Sequence, residues 1–277
     1  MTASIERQLD LFSVDRIGVE PVGRPVQPRR MAFELLDAEL IAALPGADLA
    51  TASSLAAEAA CRHLAGAVPA LERLCRRLTG FGAARVVPEQ AASLQAIAAI
   101  GGKEARLAVA RLLVERVVQS PTLAIALRAA SRLGVSLPPP CLAELLRNAR
   151  PEVRAAACRC IRLAPTHSEL LVELLGDLHP EVATSTAIAL GRTGRIEGLP
   201  MLTSLLLREP SAELIDAVAP IADEKVIITL GRRIARVTPS LRQAVLDALE
   251  QIGSPRAAMV AEGLRARDAA PKHGEPR

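Results

Sequence analysis

An all-α fold is expected for this chain of 277 residues, arranged as a right-handed solenoid of about six to seven two-helix units. Three observations lead there. Half of the residues are apolar, yet the apolar mass is Ala, Leu, Val and Ile, with three Phe, no Tyr and no Trp. Aliphatics at helical spacing suit packed helices, whereas a β-sandwich draws on aromatic and β-branched residues. Proline recurs at 88, 121, 151, 180, 210 and 239, at spacings of 33, 30, 29, 30 and 29. Each proline opens an apolar run that closes on glycine, and a second apolar-periodic segment follows.

Taken along the chain, residues 33–80 hold a weak first unit, ADLATASSLAAEAACRHLAG followed by VPALERLCRRLTG. About six clearer units fill 84–267. Their first helices read PEVRAAACRCIRLA (151–164), PEVATSTAIALGRTG (180–194) and PSLRQAVLDALEQIG (239–253). Proline suits the first helical position because its missing N–H would have no intrahelical partner there. Ser120 and Thr238 are the candidate N-caps before two of these prolines. Gly101–Gly102, Gly134, Gly191, Gly194 and Gly253 stand where a helix needs a left-handed residue to stop. Second helices follow at EARLAVARLLVERVV (104–118) and IEGLPMLTSLLLRE (196–209). In the unit at 121–148 the stretch GVSLPPPC places three prolines between the helices, which predicts a shortened second helix. A hairpin of this size cannot bury its apolar faces alone, so neighbours must stack. Residues 31–267 form the solenoid in this reading, with tails at 1–30 and 268–277.

The segments AAIGGKEARLAVARLL (98–113), ALGRTGRIEGLPMLTSLL (189–206) and ALEQIGSPRAAMVAEGL (248–264) resemble HEAT repeats, in particular the short bacterial form of the phycobilisome-lyase-like group. The resemblance covers most of the chain. It implies a right-handed array whose second helices line the concave face, and a binding surface for a partner protein. It does not by itself imply an activity.

The residues that enzymes of this architecture need are missing from the sequence. Iron-dependent hydroxylases on such arrays use His-Glu dipeptides, and the four histidines here read HLAG, HSEL, HPEV and HGEP. His179 precedes a helix-opening proline and reads as a turn or capping residue. Glycosylases of this architecture hold the damaged base against aromatic rings, and every Phe lies at or before position 81. No phosphate-cradling or nucleophile-elbow motif occurs. Five cysteines at 61, 75, 141, 158 and 160 lack disulfide or zinc spacing and read as buried helix cysteines in a reducing compartment. No cofactor and no metal are expected, and the chain is read as non-enzymatic. A phycobilin-lyase-like or other enzyme on the same scaffold is the remote alternative.

Direct nucleic-acid binding is the nearer alternative. The net charge of +4 is small for this length, and Lys103, Lys225 and Lys272 are the only lysines. A GC-rich genome yields the same Arg-for-Lys bias without functional meaning. Along the second helices the charge changes sign. Arg106, Arg111, Glu115 and Arg116 are followed by Glu144 and Arg147, then by Glu169, Glu173 and Asp177, and then by Arg232, Arg233 and Arg236. A phosphate-tracking surface wants one sign throughout. The cluster GRRIAR (231–236) remains the candidate basic patch, set against the plainer reading of arginines at a helix C-terminus. Mixed charge favours a protein partner.

The tail supplies a more particular lead. Residues 13–30 hold Pro21, Pro25, Pro28, Gly18 and Gly23 without periodicity, as an extended linker does. Before it, Gln8-Leu9-Asp10-Leu11-Phe12 resembles the pentapeptide by which bacterial replication and repair proteins bind the β sliding clamp. The resemblance implies that Gln8 hydrogen-bonds in a polar pocket while Leu11 and Phe12 fill a hydrophobic one. The competing reading places Ile5, Leu9 and Phe12 on one face of a short helix that caps the first repeat. The N-terminus lacks the apolar stretch of a signal peptide, and no run approaches a membrane span, so a cytoplasmic location is expected.

Overall fold

The computed structural model describes residues 31–82, 84–161 and 168–269. Among the described residues there are fifteen α-helices, several joined by short 3-10 turns, and no strand. A short helix α1 (Asp37–Ala43) precedes seven helix pairs. The first two pairs are α2 (Ala52–Cys61) with α3 (Val68–Arg77), and α4 (Pro88–Ile100) with α5 (Gly102–Val114). Next come α6 (Thr122–Leu133) with α7 (Pro139–Leu146), and α8 (Pro151–Cys158) with α9 (Ser168–Leu174). The array ends with α10 (Pro180–Arg192) and α11 (Leu199–Arg208), α12 (Ala212–Val218) and α13 (Glu224–Arg232), and α14 (Pro239–Ile252) and α15 (Pro255–Ala269).

The pairs stack as an α-solenoid. Each first helix packs on the next first helix, without a break from α2 to α14. Alanine makes that close approach possible: Ala91, Ala96 and Ala98 of α4, Ala126, Ala129 and Ala130 of α6, and Ala155, Ala156 and Ala157 of α8 are all buried. Each second helix leans on the first helix of the following repeat, α3 on α4, α5 on α6, and so on to α13 on α14. Among the described residues second helices lie closest to one another at the two ends, α3 against α5 and α13 against α15. Buried polar side chains add links between units. Gln90 donates from Nε2 to the carbonyls of Cys75 and Leu78 at 3.0 and 3.2 Å, and the Val87 N–H donates to Thr122 Oγ1 at 2.9 Å.

The punctuation follows the expected physics with three corrections. Pro88, Pro151, Pro180 and Pro239 open α4, α8, α10 and α14. Pro121 instead occupies the N-cap of α6, so Ser120 does not cap it. Pro210 stands before the cap Ser211, whose hydroxyl accepts from the Leu214 N–H at 3.3 Å. Thr238 caps α14 as expected, accepting from Leu241 at 3.2 Å. Pro138 caps α7 and Pro139 and Pro140 form its first turn, leaving a helix of 8 residues against 13 for α5. Gly134 and Gly253 end α6 and α14 in the left-handed conformation. Gly191 does not end a helix. It lies buried within α10, where a Cβ would come 2.2 Å from the Ala217 carbonyl oxygen.

Two hydrophobic clusters make up the core. The larger runs from Leu40 to Leu190, the smaller from Ala187 to Leu264, and they meet in α10.

Candidate functional site

The second helices form the layer on which a partner surface was expected, so their charged side chains carry the functional argument. Glu72 on α3 is the centre of the N-terminal part. Its carboxylate accepts from Arg76 on the next turn at 2.8 Å and from Arg111 of α5 at 2.6 and 3.1 Å. Arg111 also reaches Glu104 at 3.2 Å, and Arg76 reaches Glu115 beyond the end of α5. Arg116, next in the chain, pairs with Glu144 of α7 at 2.6 Å. These contacts form a ladder of alternating charge across three repeats.

Electrostatics follow from that packing. Burial pushes the Glu72 carboxyl upward, but hydrogen bonds from Arg111 and Arg76, and their charges, bring it below the ordinary carboxylate range. Hydrogen bonds that Arg76 donates to Glu115 and Glu72 hold its guanidinium above the usual range. Within the row of arginines seen in the sequence, Arg111 and Arg116 are therefore matched by carboxylates and face no free phosphate track. Asp177, counted with the acidic segment, is also engaged: Arg154 of α8 donates to it at 2.9 and 3.0 Å. Glu169 and Glu173 are exposed, so the acidic interruption persists at α9.

The candidate basic patch is divided by the structure. Arg232 is the last residue of α13, Arg233 its C-cap, and Arg236 belongs to the 3-10 turn that follows. All three are exposed. Only Arg232 lines the groove of about 220 Å³ between α13 and α15, together with Arg256, Ile228, Val260, Leu264 and Met259. Sequence reasoning missed Arg256, because nothing in the repeat register shows which turn of α15 lies against α13.

Residues 8–12, with the candidate residues Gln8, Leu9, Asp10, Leu11 and Phe12, lie outside the described residues. The segment just after the tail is held by Arg62 of α2's C-cap. It donates to the Leu35 and Phe33 carbonyls at 2.8 and 3.1 Å and pairs with Asp37 at 2.9 Å. Met31, Phe33 and Leu36 nevertheless expose 60–71% of their surface.

The thiols divide by burial. Burial pushes Cys75 up to about 12 and Cys158 up to about 11, which removes thiolate character at neutral pH. Cys160 is also buried and donates to the Leu127 carbonyl at 3.3 Å. Cys61 is exposed and Cys141 half-buried, contrary to the expectation that all five would be interior. His179 is the N-cap of α10, and its N–H donates to Asp177 Oδ1 at 2.9 Å. No group of three or more potential metal ligands occurs among the described residues.

Residues 138–220 match the family model for HEAT repeats. The match takes in α7 through α12, under a third of the chain, and includes the proline-opened helices α8 and α10 whose pattern repeats on either side. Repeats of this kind build extended scaffolds for protein interaction. No curated protein matches the chain. Among the described residues no helix is long and apolar enough to cross a membrane.

Proposed function

We propose that the protein is a non-enzymatic cytoplasmic scaffold. Its second-helix layer, on the concave face of the array, holds a protein partner, and the Gln8–Phe12 peptide tethers it to the replication sliding clamp. The observation that supports a protein partner is the Glu72 ladder. It leaves the layer from α3 to α7 with alternating, internally matched charge, a surface suited to a partner of mixed polarity. The tether rests on the pentapeptide alone. A clamp-bound scaffold would serve DNA replication or repair.

The test uses purified sliding clamp with the wild-type chain and with a Gln8→Ala/Leu11→Ala/Phe12→Ala variant. The wild type is expected to bind in surface-plasmon or anisotropy measurements and the variant to lose at least about tenfold in affinity, the scale of removing buried anchors. Equal binding by both, or by neither, overturns the tether. A second reading is favoured by exposed Met31, Phe33 and Leu36, an apolar end that a helix through Ile5, Leu9 and Phe12 would cap. In that case the variant melts several degrees lower, whereas a free peptide leaves the melting temperature unchanged.

A further inference from the structure

We infer that the groove between α13 and α15 binds an acidic peptide segment that carries a large apolar side chain. The inference rests on the scaffold reading and names the chemistry of a partner. The groove departs from the rest of the second-helix layer. From α3 to α7, Arg76, Arg111 and Arg116 each meet a carboxylate of a neighbouring repeat. Among the described residues no carboxylate lines the cleft between α13 and α15, and both Arg232 and Arg256 do. Arg256 keeps its Nε–H buried with no acceptor among the described residues. Two guanidinium groups that share one cleft offer an incoming carboxylate charge-assisted hydrogen bonds. Lys225, two turns before Arg232 on α13, and Arg233 and Arg236 after it are exposed and add positive charge to this end of the array.

The lining selects among anions. Ile228, Val260 and Leu264 provide an apolar wall, and Met259 stays 58% exposed at the edge. A volume of about 220 Å³ falls below the range of about 300–1,000 Å³ typical of small-molecule sites, and suits one or two side chains instead of a cofactor. A phosphodiester chain would engage the arginines but leave the apolar wall wet. It would also meet exposed Glu169 and Glu173 further along the layer. A peptide with a Leu or Phe flanked by Asp and Glu satisfies both halves of the cleft.

The full-length chain is titrated into a fluorescein-labelled hexapeptide, Asp-Glu-Leu-Phe-Asp-Glu, at physiological salt. Comparators replace the Leu and Phe by Ser, or the four acids by Ser, and a labelled single-stranded dT oligonucleotide serves as the phosphate probe. The intact peptide is expected to bind at least about tenfold tighter than either comparator. The Arg232→Glu/Arg256→Glu variant is expected to lose that advantage. Gly263→Met offers a second variant, because a Cβ added at Gly263 meets nothing within 4 Å. It fills the cleft without removing a charge and should weaken peptide binding with no fall in melting temperature. Absence of peptide binding, binding insensitive to both variants, or tighter oligonucleotide binding lost on charge reversal each overturns the inference. If the peptide fails while the wild-type chain captures the clamp, the groove assignment falls and the scaffold reading stands; failure of both assays removes both.

Discussion

Gly191 shows how a single missing side chain governs the join between the two core clusters. The sequence pattern places it as a helix stop, since it precedes Thr193 and Gly194 in a stretch that does end a helix. In the fold Gly194 takes the positive φ, and Gly191 stays helical with its α-carbon against the backbone of α12. A Cβ there would stand 2.2 Å from the Ala217 oxygen and 2.7 Å from Leu202 Cδ1, so backbone must move. Gly191→Ala is therefore expected to destabilise by about 1–3 kcal/mol although alanine favours helices, measured by urea unfolding. A variant at least as stable as the wild type would show that α10 and α12 do not pack this closely.

Between helices, the Glu72 ladder couples the first three repeats, and its contribution depends on pH in a definite direction. Because Arg111 and Arg76 hold the folded Glu72 carboxyl below its unfolded value, its stabilisation is complete above the unfolded range and fades as pH falls through the folded value. Its side chain is 9% exposed, so the pair is shielded enough to matter. Glu72→Gln is expected to cost about 1–3 kcal/mol at pH 7. The gap in melting temperature from the wild type should hold above about pH 5 and narrow below about pH 4. A gap that widens on acidification would mean that Glu72 is not the paired carboxylate. Much of the element scale was legible in advance: the helix-opening Pro88, Pro151, Pro180 and Pro239, the Thr238 cap and the short α7 follow from backbone chemistry local to each residue. The ladder was not, because Glu72 and Arg111 lie 39 residues apart and meet only when α3 and α5 stack.

Across the whole molecule, stacking is nearest-neighbour, so stability is distributed unit by unit. The larger cluster spans Leu40 to Leu190 and the smaller one Ala187 to Leu264, and they meet in α10 with Leu175 packed against both. Hydrogen exchange in low denaturant is expected to open α12 through α15 as one unit before α2 through α8, with α10 protected longest among the C-terminal helices. Uniform exchange along the array would show a single cooperative core. The identity of the repeat was readable in the sequence because it is written in local signals at a fixed period, each enforced by one residue's backbone. The charge of the surface was not readable that way. The sequence lined arginines along the second helices, and only the stacking decided that Arg111 and Arg116 are neutralised by their neighbours while Arg232 and Arg256 share a cleft that no carboxylate lines among the described residues. Periodicity specifies which face a side chain leaves from; which opposite charge it meets depends on the distance between helices far apart in the chain.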